Sequence, residues 1–517
     1  MLAILLVSVS FGLMTASADA NLGPHAARYE VTLDHLVTVD LGPLGTLVLD
    51  SPAPLTLGAR VTVQEIPREM TEVRTVSTID ELAQDLDRYV QLFSAPEGTL
   101  QTVVRALLTD AVQRALGAAL VLGAVVVAVR AALGPARRTE LAAAARDRAP
   151  LLVAAAALPI VLTLSTTAAG TVLPGRPSPG PPSAVFDGTA LEGAVITGRL
   201  AGVLDTYGSQ VVAAYRQNED FYDRAAAGVR EDWERQRALE SSVRAAREGA
   251  GIDPGPTAED TVAAVVVADL HCNVGMARVI RAAVEEAGAE IVLNAGDTTM
   301  NGTAVETYCI TAFAQGTPPG VTTVVAGGNH DSEVVAAHAR SLGWTVLEGQ
   351  VVDVAGVRVL GDADVRTTRV GEGTRQVGSE SIGDAAARLA DVACADTEVD
   401  LLLVHDPRMG QVALQRGCVP AVVAGHYHRR VGPEREVGGV RYVNSSTAGA
   451  VSGRPTVGPL NGVAEMTVLR FSRETGEIVD HRVVRVQPDG SVTVGFALRW
   501  PGPLPPAPEP LDPRAPR

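Results

Sequence analysis

The sequence predicts an α/β domain in its C-terminal half, preceded by transmembrane helices and a small α+β domain. Three observations lead there. From Thr261 onward, short β-branched runs alternate with helical segments, the pattern of a sheet covered by helices. Two apolar stretches, 115–133 and 151–173, are each long enough to cross a bilayer core of about 30 Å. Residues 21–100 show strand-like alternation followed by one helical stretch.

Composition narrows the class. The 517 residues suffice for two or three domains. A net charge of −16 and a pI of about 5.1 argue against broad nucleic-acid binding. All 43 basic residues are arginine, and Ala, Val and Gly abound, a composition expected of a GC-rich, for instance actinobacterial, genome. With only 3% aromatic residues, the core must rest on Val, Leu and Ala. The four cysteines form no C-x-x-C pair, which excludes a Cys-rich zinc ribbon.

Along the chain, residues 1–18 are apolar and read as a signal sequence or a membrane anchor. Ala16-Ser17-Ala18 resembles a cleavage site, but no basic n-region precedes it. In the α+β domain 21–100, strands are expected at 29–33, 46–49 and 60–63, and a helix at 79–93. The loop 134–150 between the two spans carries Arg137, Arg138, Arg146 and Arg148 against Glu140 and Asp147. This makes it cytoplasmic and puts both flanking regions outside the cell membrane. A Pro-rich linker covers 174–187. Residues 188–250 read as long helices, either a stalk or a segment packed on the adjoining C-terminal domain. The α/β domain spans 261–500, and a Pro-rich tail, 501–517, is expected to be disordered.

Within that domain five hydrophobic strands each run into polar residues. The first ends in Asp269-Leu270-His271. Residues two apart on a strand share a face, so both side chains can reach one cation. The next strands end in Gly296-Asp297, in Gly328-Asn329-His330-Asp331, in His405, and in Gly425-His426-Tyr427-His428. Any one of these motifs alone is an ordinary turn or cap. Five of the nine histidines fall in them, each just past a strand, where α/β sheets gather their sites.

The ordered set D-x-H, G-D, G-N-H-D, H, G-H-x-H resembles the calcineurin-like metallophosphoesterase superfamily over roughly residues 261–450. The resemblance implies a four-layer α/β/β/α sandwich. It further implies that Asp269, His271 and His428 hold one divalent metal, that Asn329, His405 and His426 hold a second, and that Asp297 bridges them. Mn, Fe, Zn or Co suits such a mixed N/O donor set. A hydroxide between the ions would attack phosphorus, and His330 would meet the leaving oxygen. The protein-phosphatase branch continues its G-D motif with an Asp that pairs with the catalytic His, then an Arg. Here Thr298-Thr299-Met300-Asn301 follows, which argues against protein phosphatase activity. Asn273 reads as a contact to substrate phosphate or as a helix cap. Asn444-Ser445-Ser446-Thr447 reads as an ordinary polar turn, or else as the site floor.

Cys272 follows the first ligand-bearing strand, and Cys309 lies in the helix after Asp297, so the two can meet at one sheet edge. Cys394 ends a helix before the strand at Leu401 and Cys418 precedes the strand at Ala421, both at the opposite edge, with the order of those strands left open. Disulfides Cys272–Cys309 and Cys394–Cys418 are therefore expected in an oxidising compartment, against four small buried hydrophobes otherwise. The expected partners are a phosphoester substrate and the lipid bilayer. The expected activity is hydrolysis of a phosphate mono- or diester outside a bacterial membrane. A lipid or cell-envelope phosphoester hydrolase and a non-catalytic metal-binding sensor are the alternatives.

Overall fold

A computed structural model of the chain describes residues 2–22, 25–42, 45–54, 57–64, 96–139, 182–187, 192–369, 372–396, 398–450 and 460–504. The expected helix at 79–93, the span 151–173 and most of the 134–150 loop lie outside the described residues. The chain divides into two compact units, residues 1–75 with 96–213, and 76–95 with 214–517.

The first unit opens with helix α1 (Leu2–Thr15) and strands β1 (Ser17–Leu22), β2 (His25–Thr32), β3 (Leu36–Asp40), β4 (Thr46–Asp50) and β5 (Gly58–Val63). Helix α2 (Pro96–Ala132) and strand β6 (Val195–Thr197) complete it. The six strands form one sheet in the order β1-β2-β5-β3-β4-β6. Two boundaries expected from sequence shift. The proposed cleavage site lies inside the fold, because β1 pairs with β2 from Ser17 onward and Ala16 and Ala18 are 2% and 8% exposed. The helix containing 115–133 starts earlier, at Pro96, because its first turns have a sheet to pack on: Val103 and Leu107 lie against Ala27, Tyr29 and Val61. Its segment Val103–Ala132 is long and apolar enough to cross a membrane, and none of its most apolar window is buried.

A single 51-residue helix, α3 (Arg199–Gly249), replaces the several helices expected over 188–250. It contains no proline and is rich in alanine, the strongest helix former, and Ala225 and Ala226 are buried against neighbouring side chains.

In the second unit, β7 (Thr261–Val267), α4 (Met276–Ala287), β8 (Ile291–Asn294), α5 (Thr307–Gly316), β9 (Thr322–Val325), α6 (Glu333–Ser341) and β10 (Thr345–Val346) alternate. Then come β11 (Val352–Val354), β12 (Val357–Asp362) and the hairpin β13 (Arg366–Arg369) and β14 (Gly373–Gln376). After these follow α7 (Ile382–Asp396), β15 (Leu401–Val404), α8 (Gln411–Gln415), β16 (Ala421–Ala424), β17 (Val431–Arg435) and β18 (Val440–Val443). The antiparallel strands β19 (Ala464–Ser472), β20 (Ile478–Val486), β21 (Val492–Val494) and β22 (Leu498–Arg499) end the unit.

Two sheets result. One runs β10-β9-β8-β7-β19-β20-β21, with β22 on β20, and the other runs β11-β12-β15-β16-β18-β17. Strand β7 shows how they pack. Its seven residues are all buried, as a strand covered on both faces requires. Val262, Ala264 and Val266 join Leu401, Leu403, Ala421 and Val423 of the other sheet in a shared core. The alternate residues Ala263, Val265 and Val267 pack with Val279 and Ala283 of α4 and with Tyr222, Val229 and Trp233 of α3. On the far side, Leu402, Val404 and Val422 pack with Leu389 and Ala393 of α7. The domain is thus mixed α/β, two sheets sharing one core and each covered outside by helices. The 501–517 tail also needs correction at its start, since residues 501–504 are held by β17. Arg435 donates to the carbonyls of Gly502 and Pro503, and Leu504 N–H donates to Glu436 O.

Candidate active site

Strands β7, β8 and β9 lie side by side and parallel in one sheet, and β15 and β16 are parallel neighbours in the other. All five sequence motifs follow the C-terminal ends of these strands. The backbone there is unusual. Asp269, His271, Asp297, His426 and His428 all have φ between 42° and 73°, the left-handed region that side chains with a Cβ rarely enter. Backbone bonds fix these turns: Asp269 N–H donates to Gly296 O and His271 N–H to Asp297 O, both at 2.9 Å. The 444–447 segment is a buried clasp rather than an ordinary turn. Ser446 Oγ donates to Asp269 O (2.8 Å), Thr447 pairs with both backbone groups of Ala268, and Ser445 Oγ donates to His428 O (3.1 Å).

The donor atoms form two groups linked through Asp297, which belongs to the second and lies 3.9 Å from His271 Nε2 of the first. In the first, His271 Nε2 and His428 Nε2 face each other at 3.1 Å, and His428 Nε2 is 3.3 Å from Asp269 Oδ1. In the second, His405 Nε2 is 3.1 Å from Asp297 Oδ2 and 3.2 Å from His426 Nδ1. Ligand atoms of Asp269, His271 and His428 lie within 4.8 Å of one another, as do those of Asp297, His405 and His426. Asn329 lies between Gly328 and His330, both of which press on Asp297: a Cβ on Gly328 would sit 2.1 Å from Asp297 Oδ1, and His330 N–H donates to that oxygen at 2.9 Å. The Asn329 amide nitrogen donates to Thr368 Oγ1 (2.6 Å), leaving its buried Oδ1 without a hydrogen bond. A buried acceptor with no donor, beside imidazole nitrogens that face one another, fits a divalent cation better than it fits a protein core.

Electrostatics point the same way. Burial disfavours charge on His405, but Asp297 and then Asp269 outweigh it and raise the imidazole to about 10. Burial would raise Asp297, but His405 and His271 hold its carboxyl far below the ordinary range. Burial lowers His271 to about 4 despite both carboxylates. His426 is also lowered, first by burial and then by His405, whereas His428 is raised because Asp269 overcomes its burial. The site therefore contains neutral imidazoles beside an Asp–His pair whose positive charge a metal can replace.

His330 sits at the edge of this arrangement. Its ring is 5.0 Å from that of His271, edge to face, and one of its nitrogens lies within 4.8 Å of the ligand atoms of His271 and Asp297. Its Nδ1 is 2.6 Å from Met300 O, an oxygen that can only accept, so Nδ1 carries the proton and Nε2 is the free nitrogen. Asp331 accepts from the backbone of Gly328, Thr298 and Thr299 and from Thr299 Oγ1, and so ties the G-D turn to the G-N-H-D turn. Burial, then Asp297, raises its carboxyl.

Asn273 is not the cap of α4; Gly275 occupies that position. Asn273 is 2% exposed, its Oδ1 accepts from Tyr222 Oη of α3 (2.8 Å), and its Nδ2 donates to Ala448 O (3.3 Å). The four cysteines pair as Cys272–Cys309, with Cα atoms 5.2 Å apart, and Cys394–Cys418, at 4.8 Å. The sequence reading missed the polar group beside His426. Asp406, fully buried, lies 3.9 Å from His426 Nε2 and accepts from Arg366 (2.5 Å) and Arg408 (2.6 Å), while Asp364 also binds Arg366. The one signal for it was the acidic residue directly after His405.

The family comparison comes to the same segment. Residues 263–430 match the family model described as calcineurin-like phosphoesterase. No curated protein matches the chain. Among solved structures, a novel archaeal phosphodiesterase aligns at 13% identity and TM-score 0.28, covering 44% of this chain and 100% of its own. A novel phosphatase from Mycoplasma pneumoniae aligns at 8% identity and TM-score 0.31, covering 46% and 95%. A dimetal phosphatase from Danio rerio aligns at 10% identity and TM-score 0.27, covering 46% and 98%. Residues 263–430 of this chain form a calcineurin-like phosphoesterase domain.

Proposed function

We propose that the chain hydrolyses a phosphate mono- or diester. Asp269, His271 and His428 would hold one divalent ion, Asn329, His405 and His426 a second, with Asp297 between them. The observation that carries this reading is the convergence of Asp269, His271, Asp297, His405, His426 and His428, from four strand ends, into two donor groups, with Asp297 of the second 3.9 Å from His271 of the first. Bound there, divalent ions would supply activated water and charge neutralisation for the phosphate oxygens. The chain's own residues do the rest. The left-handed turns and the 444–447 clasp fix the donors, and Asp331 holds the two central turns together. His330, with its proton fixed on Nδ1, presents Nε2 to the leaving oxygen. That presentation favours catalysis over a non-catalytic metal-binding sensor, which has no use for an oriented free imidazole. The test is turnover of a panel of phosphate monoesters, diesters, nucleotides and phospholipids by the full chain with added manganese. Asp297→Asn should abolish turnover and lower metal content; unchanged rate and stoichiometry would refute the assignment. Preference for phospholipids would favour the lipid or cell-envelope reading.

We further propose that the first unit anchors the chain in a membrane through α2 and the apolar stretch 151–173, with α1 retained against α2, the Arg-rich loop 134–150 in the cytoplasm and the phosphoesterase domain outside. Support comes from the apolar segment Val103–Ala132, none of whose most apolar window is buried, and from Arg137 and Arg138 just beyond it. Helix α1 packs on α2 so closely that a Cβ on Gly12 would meet Ala111 O at 2.3 Å. Ser17 N–H donates to Asp110 (2.9 Å), and Arg114 bonds both Asp110 and Ser17. Cleavage after Ala18 would cut β1 and remove the partner of α2, so these contacts favour a retained anchor over a cleaved signal.

A further inference from the structure

We infer that Glu306 is a positioning residue for His330, acting through the carbonyl of Met300. This inference rests on the hydrolase reading above. His330 has one fixed hydrogen bond from its ring, Nδ1–H to Met300 O at 2.6 Å, and the orientation of Nε2 depends on where that carbonyl stands. Met300 belongs to the loop between β8 and α5, a segment without regular structure until Ala304. A neutral carbonyl in a loop is a mobile partner unless something fixes the loop.

Glu306 is what fixes it. Its Oε1 accepts the N–H of Met300 at 3.0 Å and of Asn301 at 3.1 Å. Its Oε2 accepts from Asn301 N–H at 3.1 Å, from Thr303 N–H at 2.9 Å and from Thr303 Oγ1 at 3.0 Å. The bonds to Thr303 form a capping box at the turn that opens α5, and that box alone would satisfy a local structural role. The bonds to Met300 and Asn301 go beyond it. They hold the N–H of the peptide unit that contains the Met300 carbonyl, and that of the unit before it, on one carboxylate, so the orientation of that carbonyl is set from the start of the helix. Two contacts hold the other side of the loop: Ser332 Oγ donates to Gly302 O (2.5 Å), and Thr299 Oγ1 donates to His330 O (3.0 Å). The base of this support is itself pinned, since Cys309 lies one turn further along α5 and is joined to Cys272, next to the ligand His271.

In the reaction, the oxygen of the attacking water bonds to phosphorus and the bond from phosphorus to the leaving oxygen breaks. The leaving oxygen takes a proton from Nε2 of His330 when the ring carries one on each nitrogen, Nδ1 keeping its own on Met300 O, and Nε2 then regains a proton from the solvent, which receives the one that the attacking water gives up. A leaving alkoxide needs that proton; p-nitrophenolate, already stable as an anion, barely does. Displacing the Met300 carbonyl should therefore slow esters in proportion to how poor their leaving group is.

The experiment uses the full chain in detergent with added manganese and a matched pair of substrates, p-nitrophenyl phosphate and a simple alkyl phosphate, with the corresponding diesters. Glu306→Ala should lower kcat for the alkyl ester about 10- to 100-fold, a part of the roughly 10²–10⁴-fold that a general acid contributes. It should change kcat for the p-nitrophenyl ester by less than about threefold, with KM and metal content held. Glu306→Gln, which keeps one carbonyl oxygen for the Met300 and Asn301 N–H groups, should recover most of the alkyl rate. Glu306→Ala combined with His330→Ala should be no slower on the alkyl ester than His330→Ala alone. If Glu306→Ala does not fold, the same substrate ratio is read on Glu306→Asp, whose shorter carboxylate cannot hold Thr303 and Met300 together and should lower the alkyl rate selectively. An equal loss on both substrates, no loss on the alkyl ester, or full additivity with His330→Ala would overturn the inference while leaving the hydrolase reading intact. A wild-type chain that turns over neither ester with any divalent metal would overturn both.

Discussion

Replacing Gly328 by alanine places a methyl group 2.1 Å from Asp297 Oδ1 and 2.3 Å from Asp297 N. Carbon needs about 3.5 Å from such neighbours, so the carboxylate would have to retreat by about 1 Å. It cannot retreat freely. Its Oδ1 accepts from His330 N–H at 2.9 Å, its Oδ2 lies 3.1 Å from His405 Nε2, and its backbone carbonyl accepts from His271 N–H at 2.9 Å. A shift of that size in the residue that links the two donor groups should cost roughly 100-fold in turnover. Overpacking should cost about 1–3 kcal/mol in stability. The neighbouring Gly327 is the control. A Cβ there would meet only Ala363 Cβ, at 3.4 Å, and neither glycine has positive φ, so both substitutions are conformationally allowed and differ only in space. Metal per chain by elemental analysis, kcat on a p-nitrophenyl ester and thermal melting are measured side by side. Gly327→Ala should match wild type within about 0.5 kcal/mol, while Gly328→Ala should lose metal and rate. A Gly328→Ala chain with full metal and wild-type turnover, or equal damage from Gly327→Ala, would refute the reasoning.

Other outcomes are expected from the same geometry. Metal uptake at pH 7 should release protons. His405 is raised to about 10 in the metal-free site and so is protonated at pH 7, and a cation must take its lone pair. Affinity should therefore rise with pH up to about 10, and titration heats should differ between buffers of unlike ionisation enthalpy; identical heats would count against it. By the same linkage, His405 should stabilise the metal-free fold fully below its unfolded value of about 6.5 and lose that contribution as pH rises through about 10. Removing the Cys272–Cys309 bridge, which spans 37 residues, by a Cys272→Ser/Cys309→Ser double substitution should cost about 4 kcal/mol, read by denaturant unfolding without reductant. Thiol titration of the denatured, unreduced wild-type chain should find none free. For the membrane reading, a reporter active only outside the cytoplasm, fused after residue 187, should be active. Mass spectrometry of the mature chain should recover the peptide containing Leu2–Thr15; a chain starting at Asp19 would refute the retained anchor.

The metal-ligand candidates were legible because each is a rare residue type placed directly after an apolar run. Strands buried on both faces are continuous apolar segments, and the chemistry of their ends stands out against them. What stayed hidden depended on partners distant in sequence. Tyr222, on a helix read only as long and charged, reaches Asn273, and nothing in a helical periodicity announces one buried hydroxyl. Met300 acts through its carbonyl, which every residue possesses, so its identity carries no signal. The role of Ser445, Ser446 and Thr447 depends on β18 returning beside β16, a pairing that local pattern does not contain. Ala16-Ser17-Ala18 is ambiguous in sequence because a cleavage motif of small residues and the first residues of an edge strand look alike.

The left-handed backbone of the ligand turns bears on whether such a centre can be moved. Asp269, His271, Asp297, His426 and His428 each hold a conformation costing about 1 kcal/mol or more, together on the order of 5 kcal/mol. Glycine would relieve that cost at any of them but would delete the donor, so the cost cannot be engineered away. It is comparable to the whole stability of a small domain, about 5–15 kcal/mol. Grafting the seven side chains onto a compact scaffold would reproduce the residue list without the reserve needed to hold it. A transplant that works would have to carry the two sheets and the 444–447 clasp with it, which makes the smallest portable version of this centre nearly the entire domain.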